Sequence, residues 1–178
     1  MAARRRLGHR TGARCEHGRS DEAPSFRGQE PAGIWPGSGG QTSIVVNTHL
    51  HFDHCGGNHL FAGRPIYVQR RELDDALGED DYTIREWVEA PGVRYVPVDG
   101  ELELLPGLRL VPAPGHTRGM QVVVIETGGR PVVVGGDVAV WFGELDDPHT
   151  EGQLRVRALD PELVWLAHEH EPWRPGTV

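Results

Sequence analysis

His49-Leu50-His51-Phe52-Asp53-His54 packs four metal-capable side chains into six positions, directly after the apolar run Ile44-Val45-Val46. Neutral imidazoles with a carboxylate suit a borderline-soft divalent ion such as Zn²⁺, and this density lets one loop serve two adjacent ions. Ile44 to Val46 reads as a short buried strand, and a loop leaving a strand end is where sites are built on a rigid support. His49 and His51 are two apart, so in extended backbone they point the same way and can share an ion. Asp53 and His54 come next, where Gly56-Gly57 turns the chain into a short helix from about Asn58. That turn aims the pair at a second position beside the first, and ions in such paired sites stand about 3.5–4 Å apart.

Six residues cannot close two coordination shells, so further ligands must come from downstream. Three apolar strands end in ligand-type residues. His116 lies in Pro114-Gly115-His116-Thr117 after Leu108 to Val111, Asp137 in Gly135-Gly136-Asp137 after Val132 to Val134, and His168 ends Leu163 to Ala167. Each alone reads equally as an ordinary loop residue; their joint order behind the first cluster points to one site. His170 competes with His168 for the last place, and His168 is preferred because it comes straight off the strand. His59 reads as a packing or supporting residue, His149 as part of a solvated loop, and Cys55 as a small packing residue rather than a ligand. Trp141-Phe142 forms an apolar pair suited equally to substrate contact or to the core.

HLHFDH, PGHT, GGD and the final AH stand in this order, and from about Ser43 to Trp173 the chain resembles the metallo-β-lactamase superfamily of metal-dependent hydrolases. The resemblance implies that His49, His51 and His116 bind one metal ion. It implies that Asp53, His54 and His168 bind the second, with Asp137 bridging both. NTHLHFDHCGGN followed by PIYVQ and a helix is most similar to the N-acyl homoserine lactonase branch. Lactonases of that branch commonly carry a Tyr three residues after the bridging Asp; here the position is Val140. Lactone opening would then rest on the metals and Asp137, or another substrate is intended.

Two ions bridged by a solvent oxygen lower its pKa towards neutrality and yield a hydroxide at ordinary pH. Asp53 would position that hydroxide and Asp137 would relay a proton to the leaving group, so both are candidate catalytic residues. Lactones, esters, thioesters and β-lactams all fit this chemistry; lactone or ester cleavage, with two divalent ions most consistent with Zn, is the expected reaction. A glyoxalase II-type thioesterase shares the ligand set but needs basic residues for a glutathione carboxylate. A truncated, catalytically silent metal-binding remnant is the remaining alternative.

The elements that must carry these residues alternate between strands and helices. Strands are expected at Pro65 to Gln69, Val93 to Val98, Leu102 to Leu104, Leu108 to Val111, Met120 to Glu126, Pro131 to Val134 and Leu163 to Ala167. Helices are expected at Arg71 to Leu77, at Tyr82 to Glu89, and from a Thr150 cap to about Leu159. The fold class is α/β, an αββα sandwich whose first sheet is incomplete, because only Ile44 to Asn47 precedes the ligand loop.

At 178 residues with 38% hydrophobic content the chain supports one core, and residues 42–178 form the hydrolase domain. Residues 1–41, rich in Arg and Gly without periodicity, read as a disordered or non-native tail; the chain has 18 arginines and no lysine, as GC-rich coding produces. The net charge of −8 argues against nucleic acid as a partner, and no apolar run approaches the roughly 18 residues of a membrane span. A small molecule is the expected substrate. Cys15 and Cys55 make no disulfide framework, which favours a reducing, cytoplasmic setting.

Overall fold

The β-branched runs of the N-terminal part form a three-stranded parallel sheet, Val45–Val46 (β1), Pro65–Gln69 (β2) and Arg94–Val98 (β3), in the order β1-β2-β3. This is seen in a computed structural model that describes residues 42–176; the expected tail at 1–41 lies outside the described residues. Parallel strands need crossovers, and the first crossover here carries the His49 to His54 cluster. Between β1 and β2 the chain makes a one-turn helix, Phe52–Cys55 (α1), and a 3₁₀ turn at Asn58–Phe61. Between β2 and β3 it makes Arg70–Gly78 (α2) and Arg85–Val88 (α3). Pro97 is tolerated because β3 is an edge strand.

The second sheet holds five strands. Leu102–Leu105 (β4), Leu108–Pro112 (β5), Gln121–Ile125 (β6) and Val132–Gly136 (β7) form an antiparallel meander. Gly143–Asp146 (α4) and Glu151–Ala158 (α5) then cross over to Leu163–Leu166 (β8), parallel to β7. Leu145 and Val156 from these helices bury against Val122, Val124, Val133 and Val164. On the other side Leu50, Cys55, Ala76 and Val88 bury around Val68 of β2. Helices thus pack on both sheets, giving the expected α/β αββα sandwich. Among the described residues no helix is long and apolar enough to cross a membrane.

Buried amides seam the two sheets together at the strand ends that lead into the ligand loops. Gln121 donates from Nε2 to the carbonyls of Asn47 (2.8 Å) and Tyr67 (3.2 Å), and Gln69 Nε2 donates to Gln121 Oε1 at 2.9 Å. Gln121 N also donates to Thr48 O at 2.9 Å. With Gln121 wholly buried, each polar atom needs a partner, so these bonds fix the start of β6 against the ends of β1 and β2.

Most elements fall within two residues of their expected places, and two do not. The helix expected over Tyr82 to Glu89 is confined to Arg85–Val88. Asp81 is left-handed (φ 63°), and the Tyr82 hydroxyl donates to Glu72, which draws that residue out of helical register. The helix expected from Asn58 is only a 3₁₀ turn, while an α-helix opens inside the ligand motif itself. The amide of Asn58 donates instead to Asn47 Oδ1 (2.9 Å) and Tyr95 OH (3.1 Å).

Candidate metal centre

His51 is the hinge of the first cluster. It is extended (φ −61°, ψ 154°) and caps α1, so its carbonyl accepts from the amides of His54 and Cys55, both at 3.0 Å. His49 and His51 therefore project from extended backbone, and Asp53 and His54 from the helical turn. The change of direction falls two or more residues before the Gly56-Gly57 pair expected to make it. Asn47 Nδ2 donates to His54 O at 3.1 Å and pins the turn to the end of β1.

Asp137 comes off β7 through Gly136, where φ is +55° and a Cβ would stand 2.4 Å from Thr48 Oγ1. Only glycine takes that backbone and that approach together, and the result is Asp137 lying against the Thr48-His49 segment. His168 is delivered by β8, whose next amide, Ala167 N, donates to Gly136 O at 3.0 Å. The loop with His116 is anchored to the start of α5 by Gly152 N donating to Pro114 O at 2.7 Å. Thr150 caps that helix reciprocally with Gln153, as its position implies.

All seven sequence-selected side chains converge. They fall into three overlapping groups, each with its donor atoms within 4.8 Å of one another: His49, His51 and His116; His49, His54 and Asp137; Asp53, His54 and His168. Asp137 Oδ2 is the hub, lying 3.7 Å from His49 Nε2, 3.0 Å from His54 Nε2, 3.6 Å from His116 Nε2 and 3.3 Å from His168 Nε2. His116 Nε2 is 3.0 Å from His51 Nδ1, and Asp53 Oδ2 is 3.4 Å from His54 Nε2. Donors around a tetrahedral ion at bonds of about 2.0–2.2 Å stand about 3.3–3.6 Å apart, and the distances here, from 3.0 to 3.7 Å, bracket that spacing. Buried His49 Nε2, His54 Nε2 and Asp137 Oδ1 have no hydrogen-bond partner. Buried polar atoms left without partners are costly, and a cation answers all three.

The family model for the metallo-beta-lactamase superfamily matches residues 29–168. The chain belongs to the metallo-beta-lactamase superfamily. The N-acyl homoserine lactonase AiiA of Bacillus thuringiensis subsp. kurstaki is 42% identical over 120 residues, 67% of this chain and 46% of that protein. Metallo-beta-lactamase domain-containing protein 1 of Homo sapiens is 35% identical over 148 residues, 76% of this chain and 50% of that protein. The crystal structure of a quorum-quenching N-acyl homoserine lactone hydrolase superposes with a TM-score of 0.59 at 28% identity, covering 72% of this chain and 58% of that one. This superfamily member spans about half the length of the curated relatives it matches.

Electrostatics in this metallo-beta-lactamase site prepare most donors for a cation. Burial, reinforced by the neighbouring His54, lowers His49 to about 3, so its imidazole is neutral near pH 7. Burial and the charge of His116 lower His51 as well. Burial pushes Asp137 up, but the interaction with His54 and the charges of His49 and His168 outweigh it and hold the carboxyl at about 2. His54 is the exception: burial lowers it, yet Asp137 and Asp53 together raise it above 6.5. Its Nε2 lies 3.0 Å from Asp137 Oδ2, and both hydrogen-bonding proximity and charge favour the protonated ring.

A pH dependence follows. A His54 that coordinates must first lose its proton, so apparent metal affinity should fall by about tenfold per pH unit once pH drops below the raised His54 value. Ligand-free protein responds with the sign set by His49 and His51. Their folded values are depressed, so the unfolded chain gains protons first, and stability present above pH 6.5 is lost as pH falls towards 3. His54 opposes this, since its raised folded value adds stability below 6.5 that is lost as pH rises through that value. Two lowered imidazoles against one raised give a net loss in acid, to be read from melting curves of chelator-treated protein between pH 8 and 4.

Other expected residues divide. Cys55 is buried, donates from Sγ to Leu50 O at 3.4 Å, and stands outside the donor groups, in line with a packing role. His59 is exposed, so it does not pack in the core, and it bonds to Gly56 O at 2.9 Å at the end of α1. Exposed His149 pairs with Asp147, and His170 joins no donor group. Phe142 packs on the core while Trp141 stays exposed, which separates the pair.

Proposed function

We propose that this chain is a dinuclear metal-dependent hydrolase that opens a lactone or ester, with N-acyl homoserine lactones as the substrate class. One observation carries the reading: a buried carboxylate, Asp137, whose single oxygen Oδ2 lies within 3.7 Å of four imidazole nitrogens. His49, His51 and His116 would hold one ion and Asp53, His54 and His168 the other, with Asp137 within reach of both groups. The resident ions, Zn²⁺ by donor chemistry, supply Lewis acidity and an activated water when bound. Residues 42–178 form the working domain, and a cytoplasmic setting suits a chain without a disulfide framework.

Asp53 orients the attacking water and accepts its proton. Asp137, whose Oδ1 has no partner, takes up that proton in turn and passes it to the departing oxygen, so both carboxylates end as they began. Water oxygen bonds to the acyl carbon, the acyl–oxygen bond breaks, and the products are a carboxylic acid and an alcohol on one chain for a lactone. Exposed Phe52 in the ligand loop and Trp141 beyond Asp137 provide apolar surface suited to an acyl chain. The Tyr82 hydroxyl, beside His51, is engaged by Glu72 and so does not stand in for the phenol absent at Val140. That departure favours testing esters and thioesters beside lactones.

Metal analysis of purified protein, joined to a panel of N-acyl homoserine lactones, aryl esters and S-lactoylglutathione, is the test. About two equivalents of metal with lactone turnover that chelation removes and Zn²⁺ restores is expected. Turnover of S-lactoylglutathione alone would move the assignment to a thioesterase. Two bound equivalents without turnover on any member would make the chain a silent metal-binding remnant.

A further inference from the structure

The centre is braced from outside its own loops by a residue with no ligand role. Glu72, in the first turn of α2, is completely buried. Its carboxylate accepts three hydrogen bonds from three separate segments. Leu50 N (2.8 Å) and Tyr82 OH (2.5 Å) donate to Oε1, and Thr117 Oγ1 (2.6 Å) donates to Oε2. Leu50 lies between His49 and His51, Thr117 follows His116, and the Tyr82 ring stacks obliquely on His51 with centroids 5.2 Å apart.

Backbone packing tightens the same joint. A Cβ at Gly119 would meet Glu72 N at 2.1 Å, so the loop carrying His116 rests directly on the start of α2. Arg118, in the same loop, pairs with buried Asp75 one turn further along that helix. A buried carboxylate is a poor choice for packing alone, since an apolar residue of similar volume is often as stabilising or more so. Three donors converging on it serve geometry instead.

We infer that Glu72 is a positioning residue of the centre, joining Leu50 and Thr117 through its two oxygens and so setting the separation of the His51 and His116 donor atoms. That separation is 3.0 Å. The inference rests on the dinuclear reading above. It is also one-sided: His54 is tied to Asn47 and His168 follows β8, and the three bonds of Glu72 go to neither. Loss of the brace therefore weakens one metal position and spares the other.

Titration of chelator-treated protein with Co²⁺, followed by visible absorption and by metal stoichiometry, reads this asymmetry. Wild type should take up two equivalents. Glu72→Gln keeps the shape but turns an amide N–H towards groups that donate; one equivalent should bind as before, and the other about 10- to 100-fold more weakly, with altered visible bands. Thr117→Val removes a single bond of the three and should shift the same equivalent by less. Should Glu72→Gln fail to fold, Thr117→Val alone decides. Unchanged affinity and bands in a folded variant, or equal weakening of both equivalents, would overturn the inference. If wild type itself took up no cobalt, the dinuclear reading would fall first and this one with it.

Discussion

Replacing Asp137 by alanine should release one of two bound ions, loosen the other, and cut hydrolysis by at least about 10²-fold. No other donor in the cluster is shared so widely: Oδ2 lies within 3.7 Å of His49, His54, His116 and His168. Two effects of the change oppose one another. Losing the carboxylate removes a ligand common to both positions, but it also removes the main influence that raises His54, which eases proton competition. Above the raised His54 value that competition falls away, so ligand loss dominates there. Asp137→Asn separates size from charge, since an amide fills the same space without a negative charge and should fail almost as badly. Two retained equivalents in either variant, with a rate near wild type, would contradict a bridging role.

The convergence of the seven side chains was legible in the sequence because their segments follow apolar runs, and strand ends are the most readable places in an α/β chain. Local signals were enough for β2, β5 and β7, whose valines, isoleucines and leucines carry their own periodicity. What supports the cluster was not legible. Glu72 stands in the first turn of a helix, where acidic residues are ordinary and solvated, and nothing local marks it as buried. Gln69 and Gln121 look like the polar ends of two strands until the sheets are stacked and their amides meet. Tyr82 has helical neighbours, yet a hydrogen bond to a residue ten positions away overrides them. In each case the decisive partner is distant in sequence, so the signal exists only in the assembled fold.

Metal loading should raise the melting temperature of ligand-free protein by about 10 °C. Three buried atoms, His49 Nε2, His54 Nε2 and Asp137 Oδ1, lack partners without an ion, and the unfolded chain has no comparable site. An ion that binds only the folded state at about 1,000 times its Kd contributes about 4.1 kcal/mol, or about 8–16 °C for a domain of this size. The second position adds to this, while residual affinity of unfolded histidines for zinc subtracts from it. The shift should also grow with concentration, by about 1.4 kcal/mol per tenfold excess at each occupied position. A loosely held surface ion would give neither the size nor the steady slope. Chelator should return the melt to its starting point, and Asp137→Ala should lose most of the response. A shift below about 2 °C at saturating Zn²⁺ would mean that the seven side chains meet without forming a binding site.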